Sequence, residues 1–293
     1  MEFLPLVVAL IASTALTPIV RAIAIRAGMV AQPKTDRWHK RPTALLGGVS
    51  IALSVALTWI VFRDQMPGDR QAWVVLGGSL FLGAVGFVDD ILHIKPYQKL
   101  IGQLMASALV ISAGLTLPWT SSQEFNVAIT FFWLVGITNA INLLDNMDGL
   151  AAGVSATAAA FLAINLALNG QPQQAIMLGL LAAALIGFLF YNSNPASVFM
   201  GDTGSMFIGF FLASAALLSA TGARSRSFVV VLAAPVLVLL IPIFDTTLVT
   251  VMRKLAGRPA SQGGRDHTSH RLVALGLSES RAVWLLYGLA VVS

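Results

Sequence analysis

The sequence predicts an all-α, polytopic helical membrane protein, and three observations carry that reading. Only 11% of the 293 residues are charged, while 57% are hydrophobic. A soluble domain carries roughly 25% charged residues on an apolar fraction near 45–50%, so this composition cannot cover a water-facing surface. Apolar runs long enough to cross about 30 Å of hydrocarbon recur along the whole chain. Nearly all titratable side chains fall in alternate connections between those runs, as in a protein with one chemically active face.

Hydropathy places about ten spans, at roughly 3–26, 45–62, 72–88, 99–118, 125–144, 150–168, 173–191, 205–221, 228–252 and 281–293, in one membrane domain over 1–293. The first run begins Met1-Glu2 with no basic segment before it, and Arg21 and Arg26 follow it. That order favours a first span with its N-terminus outside over a cleaved signal peptide. The last run ends at Ser293 after about 13 residues, which points to a short final helix or to a longer chain. There is no cysteine, which excludes disulfides and thiolate metal sites.

With that orientation, 14 of the 18 lysines and arginines lie on inner segments, and only Arg63, Arg70, Arg224 and Arg226 lie outside. The positive-inside rule thus accounts for much of the net charge of +5 without a nucleic-acid partner. His39, His93, His267 and His270 are all inner, as are Asp36, Asp89, Asp90, Asp145, Asp148, Asp202, Asp266 and Glu279. Asp245 lies in the inner half of the ninth span. The predicted active face is cytoplasmic.

Five inner segments carry the candidate chemistry. Asp89-Asp90 ends the third run and is followed by Lys95-Pro96. Adjacent carboxylates repel, so the pair implies a cation, a shared proton or a basic substrate nearby, unless it is a plain solvated helix end. In Asn139-Ala140-Ile141-Asn142-Leu143-Leu144-Asp145-Asn146-Met147-Asp148-Gly149, helical spacing puts Asn139, Asn142, Asp145 and Asn146 on one face. Asp148 suits the N-cap of the next helix. Around Asp202, in Met200-Gly201-Asp202-Thr203-Gly204-Ser205, flanking glycines let backbone amides approach an anion, and the helix start favours phosphate. Carboxylates in separate inner loops suit Mg²⁺ with a pyrophosphate, because that ion takes a few carboxylates plus phosphate oxygens.

The loop from Arg253 to Arg281 interleaves glycine with Arg265, Asp266, His267, His270 and Arg271, which suits a phosphorylated, hydroxyl-rich ligand. Two histidines three apart make a weak zinc signature. Arg37, Trp38 and His39 stand where a lipid headgroup phosphate or a plain interfacial anchor would lie. Asp245, between helix-bending prolines and the inner interface, is an intramembrane acid and so a functional candidate.

Together these segments, from about residue 28 to 276, resemble the polyprenyl-phosphate N-acetylhexosamine-1-phosphate transferases of glycosyltransferase family 4. The matching pieces are Asp89-Asp90 continuing through Lys95 to Gln103, Asn139 to Gly153, Met200 to Ser205, Pro242 to Thr246, and His267 to Leu272. The resemblance implies Asp202 as the Mg²⁺ ligand, with Mn²⁺ able to serve in place of Mg²⁺. It implies Asp89 and Asp90 as a catalytic pair, one of them a base or metal partner, Asp89 being the one expected at the metal. Asp145, Asp148 and His267 complete the expected catalytic set. Lys95, Asn139, Asn142, Asn146, Arg265, His270, Arg271, His39 and Arg37 are expected to bind substrate.

The same likeness implies a UDP-N-acetylhexosamine donor, undecaprenyl phosphate or another polyprenyl phosphate as acceptor, a homodimer, and a bacterial inner membrane with the site on its cytoplasmic face. Departures from the pattern are Gln32 for an aspartate, Trp38 for a lysine, and Ser269 interrupting the histidine cluster. Lacking three consecutive histidines, the chain resembles the UDP-GlcNAc branch more than the muramoyl-pentapeptide branch. Two other classes compete. Asp145-x-x-Asp148-Gly149 echoes the CDP-alcohol phosphatidyltransferases, but Ala152 stands at their arginine position and no acid follows until Asp202. A secondary transporter would hold its site at the midplane, a pattern only Asp245 fits.

Overall fold

A computed structural model describes residues 3–32, 42–222, 235–259, 264 and 266–293. Their helices are α1 Leu4–Arg26, α2 Gly47–Val61, α3 Arg70–Leu92, α4 Pro96–Ser112, α5 Gln123–Leu144, α6 Leu150–Leu168, α7 Pro172–Asn192, α8 Gly201–Gly222, α9 Leu240–Leu255, α10 Thr268–Ala274 and α11 Glu279–Val292. Among these, α1, α3, α5, α6, α7 and α8 are long and apolar enough to cross a membrane, and α2 is a shorter apolar helix. Large apolar side chains stand exposed along them, such as Ile11 and Ile19 on α1, Phe132 on α5 and Phe190 on α7. Lipid, not water, accommodates such a surface. The chain is a multi-pass helical membrane protein.

Helix ends depart from the hydropathy runs where local chemistry intervenes. α4 covers 96–112 rather than 99–118, because Pro96 suits the first helical position and Gly114, at φ 87°, ends the turn beyond Ala113. α8 begins at Gly201, four residues before the start expected from its apolar run. A two-stranded ribbon, absent from the all-α expectation, pairs β1 Val30–Ala31 with β2 Thr43–Ala44. Strands of two residues are too short to leave a period in the sequence.

α8 is the axis of the bundle. Its apolar stretch is 89% buried, the most enclosed of the six long helices, as expected for a helix apolar on every side. α3 and α5 pack against it, while α7 lies against α1 and α6. Small residues set the closest approaches. A Cβ on Gly48 of α2 would run into the backbone of Gly204 on α8, and one on Gly86 of α3 would strike the backbone of Asp202. The strand leading into α2 is tied to the same place: Phe199 N–H donates to Ala44 O (2.8 Å), and Gly47 and Gly48 N–H donate to Phe199 O and Met200 O (2.9 and 2.8 Å). Backbone from three elements thereby fixes the start of α8. Gly48→Val is expected to push α2 off α8 and destabilise the bundle by about 3 kcal/mol, the upper end for overpacking, read as a lower Tm in detergent.

Candidate functional site

The glycine at 86 brings the end of α3 against the start of α8, and this places three carboxylates together. Asp90 spends both oxygens on α8: Oδ1 accepts from Asp202 N–H (2.8 Å), and Oδ2 accepts from Thr203 N–H (3.0 Å) and Thr203 Oγ1–H (2.6 Å). The first amides of a helix lack internal partners and carry its positive dipole end, so a carboxylate there is well placed. Gly201, at φ 71°, makes the turn beneath it, and a Cβ there would meet Asp90 Oδ2 at 2.6 Å. The amides that the sequence offered to a phosphate therefore hold Asp90 instead.

Asp89, one residue earlier, points to a different partner. Lys99, from the first turn of α4, donates its ammonium to Asp89 Oδ2 (2.9 Å) and Asp202 Oδ2 (2.6 Å). The other oxygen of Asp202 accepts from the Asn142 amide (3.0 Å), which also donates to Ser205 Oγ (2.8 Å). Four helices thus meet on Asp202: α8 carries it, α3 and α4 reach it through Lys99, and α5 supplies Asn142. Nothing in the sequence singles out Lys99, because a lysine at the foot of an apolar run is what the positive-inside rule supplies anyway. Lys95 is exposed, and its backbone N–H donates to Gln98 Oε1 (2.8 Å) to open α4.

α5 links this cluster to a second one. It ends at Leu144, so the predicted polar stripe divides: Asn139 and Asn142 lie within the helix, Asp145 is its half-buried C-cap, and Asn146 lies just beyond. Asn139 turns inward and exchanges amide hydrogen bonds with buried Gln103 of α4 (3.0 and 3.2 Å). Asn146 Oδ1 accepts from Ser269 Oγ of α10 (2.6 Å). Asp148 does not cap α6; Gly149, in the left-handed region, takes the N-cap position. Asp148 instead accepts from Ala196 N–H (2.9 Å) and the Asn194 amide (3.2 Å), tying this turn to the segment before α8.

The second cluster is the histidine segment. His267 Nδ1 lies 2.7 Å from Asp245 Oδ2 of α9, and both side chains are buried. His267 and His270 meet edge-on at 5.6 Å between ring centroids. Arg271 Nε–H donates to Asp266 O (3.0 Å). Buried Arg253 donates through Nε to Asp266 Oδ2 (3.0 Å), and this bond holds the Asp266 carboxyl below the ordinary value, with Arg258 adding to the effect. Arg37, His39 and Arg265 lie outside the described residues.

A Mg²⁺ site can be judged against these donors. Among the described residues no three His, Cys, Asp or Glu side chains converge as a complete cage. Mg²⁺ needs less, since one or two carboxylates suffice when substrate phosphates complete the shell. Asp89 and Asp202 fit that role: both are hard oxygen donors, both remain partly accessible, and they already converge on a single cationic nitrogen.

Comparison with known proteins shows the family. The glycosyl transferase family 4 model matches residues 72–220, which run from α3 to α8 and include the whole carboxylate cluster. A Bacillus subtilis protein named probable undecaprenyl-phosphate N-acetylglucosaminyl 1-phosphate transferase is 34% identical over 96% of this chain and 80% of its own length. The chain belongs to glycosyl transferase family 4. It is a phosphoglycosyl transferase. The decaprenyl-phosphate N-acetylglucosaminephosphotransferase of Mycolicibacterium smegmatis is 32% identical over 92% of this chain and 74% of its own length. A phospho-N-acetylmuramoyl-pentapeptide-transferase of Desulforamulus reducens is 33% identical over 61% of each chain. Membership sets aside the transporter and CDP-alcohol transferase readings.

Proposed function

We propose that this transferase moves N-acetylhexosamine-1-phosphate, specifically GlcNAc-1-phosphate, from a UDP-sugar to undecaprenyl phosphate and releases UMP, at the cytoplasmic face of a bacterial inner membrane. The observation that carries the reading is the convergence of Asp89 and Asp202 on one cationic nitrogen at the helix ends, with Asn142 as a further polar contact. The relatives named as GlcNAc-1-phosphate transferases support the choice of sugar and acceptor class.

In this reaction an oxygen of the lipid phosphate attacks the β-phosphorus of the nucleotide sugar, a P–O bond forms, and the phosphoanhydride bond to UMP breaks. A phosphate monoester has a second pKa near about 6 and is largely dianionic at neutral pH, so no strong base is needed to activate it. The difficulty is the approach of two anions. Mg²⁺, with Mn²⁺ as a substitute, would supply charge neutralisation for the diphosphate and the departing UMP from the Asp89–Asp202 pair. Lys99 adds a second positive charge on the same carboxylates. Asp90, engaged with the start of α8, holds Asp202 in place and is a positioning group. His267 serves at the reaction centre, while His270 and Arg271 supply the polar face for the sugar and nucleotide.

Incubation of the purified protein with UDP-GlcNAc, undecaprenyl phosphate and Mg²⁺ should release UMP and yield a lipid-linked sugar in equal amounts. Rival UDP-sugars run alongside identify the sugar. Absence of both products with every donor would overturn the reading.

A further inference from the structure

We propose that Asp245 is the positioning residue for His267: it holds the imidazole in the Nδ1–H tautomer, so that the Nε2 lone pair is what the ring can offer a substrate. The proposal rests on the reading above that His267 belongs to the reaction centre. It adds a residue from a different helix and a defined proton position.

The argument begins with Asp245 itself. It lies in α9 with only 2% of its surface exposed, where an unpartnered carboxylate would be very costly. Both of its oxygens are engaged on one short segment. Oδ1 accepts from the backbone N–H of Thr268 at 2.6 Å, and Oδ2 faces His267 Nδ1 at 2.7 Å. A backbone N–H can only donate, so Oδ1 is committed as an acceptor. An ionised carboxylate has no hydrogen to give, so the hydrogen in the second bond must sit on Nδ1. The neutral ring then carries its lone pair on Nε2, and the carboxylate stabilises the imidazolium whenever Nε2 takes a proton.

The same carboxylate also fixes where the ring stands. Thr268 is the first residue of α10, and His267 is its N-cap, so the Oδ1 bond sets the start of the helix. Ser269 then bonds Asn146 just beyond α5, one turn from the Asn142 that holds Asp202. His270 closes against the edge of His267. Asp266, the nearest other acid in sequence, is taken by Arg253 and Arg258 and leaves Asp245 as the acid bonded to the ring.

Asp245→Asn tests this with no change in volume. Thr268 N–H obliges the carboxamide oxygen to face it, which turns the carboxamide NH2 towards Nδ1. Nδ1 must then accept, and the proton moves to Nε2. We expect ¹⁵N NMR of histidine-labelled enzyme, recorded with the imidazoles neutral, to show His267 protonated on Nδ1 in the native protein and on Nε2 in the variant. The signal is assigned by its loss in His267→Gln. We expect kcat to fall by about 10²–10⁴-fold, with KM for the nucleotide sugar changed by less than a few fold, as for tautomer inversion in an Asp–His pair. Asp245→Glu, which keeps two acceptors, should regain part of the loss.

An Nε2-protonated ring in the native enzyme overturns the proposal, as does an Nδ1-protonated ring in Asp245→Asn. Inversion with undiminished kcat overturns the functional half. Should Asp245→Asn not fold, the native tautomer and the Asp245→Glu turnover decide in its place. Failure of the native enzyme to transfer sugar phosphate to undecaprenyl phosphate would instead sink the reaction assigned above, and the tautomer measurement would stand apart from it.

Discussion

Asp202→Asn is expected to lower UMP release by at least about 10²–10³-fold, the scale for losing an electrostatic group aimed at developing charge. The substitution keeps the volume of the side chain and one acceptor. Asn142 already donates to Asp202 Oδ1, so the carboxamide oxygen would stay there. Its NH2 would then face the Lys99 ammonium now bonded at 2.6 Å, donor against donor, and Lys99 would turn wholly to Asp89. The start of α8 should survive, because Asp90 holds it through the backbone of residues 202 and 203 and the Thr203 hydroxyl. A folded, monodisperse variant whose UMP release is lowered by that factor is the expected outcome. Undiminished turnover would remove Asp202 from the metal-binding role.

What the sequence revealed about this fold was whatever composition and period can encode. The run 150–168 coincides with α6, and 125–144 lies within α5, because a membrane span is written into consecutive residues. The motifs around Asp89, Asn142 and Asp202 were visible as polar residues at the ends or starts of apolar runs. Their partners were hidden because these come from far away in the chain. Asp90 reaches an amide 112 residues later, and this contact lets α8 start at Gly201, where the sequence suggested a loop. Asp148 illustrates the reverse error: a plausible local cap gave way to Ala196 N–H, 48 residues on, once Gly149 could take the left-handed position. Asn139 belonged by spacing to the polar stripe, yet Gln103 meets it, a pairing that depends on how α4 lies against α5. Asp245 and His267 each stood out alone, and only the return of the chain after α9 makes them a pair.

Lys99→Met should have the second large effect, and its sign follows from charge. Methionine keeps the length of the stem and removes the ammonium, leaving Asp89 and Asp202 facing one another beside Asp90. Removing one partner of a buried ion pair costs about 3–5 kcal/mol; with the three side chains 24%, 14% and 26% exposed, solvent screening reduces this to about 1–3 kcal/mol. The loss should appear as a lower Tm in the presence of a chelator. The metal site proposed above draws on the same two carboxylates, so millimolar Mg²⁺ should restore more of the Tm in Lys99→Met than it adds to the native protein. Turnover should fall by about 10²-fold, because the second positive charge beside the reacting phosphates is gone. Lys99→Arg should recover stability better than rate, since a planar fork replaces a point charge that two oxygens share. Equal Mg²⁺ responses in native and Lys99→Met protein would show that the ammonium and the metal do not draw on the same carboxylates, and Asp89 would then have to be removed from the metal site.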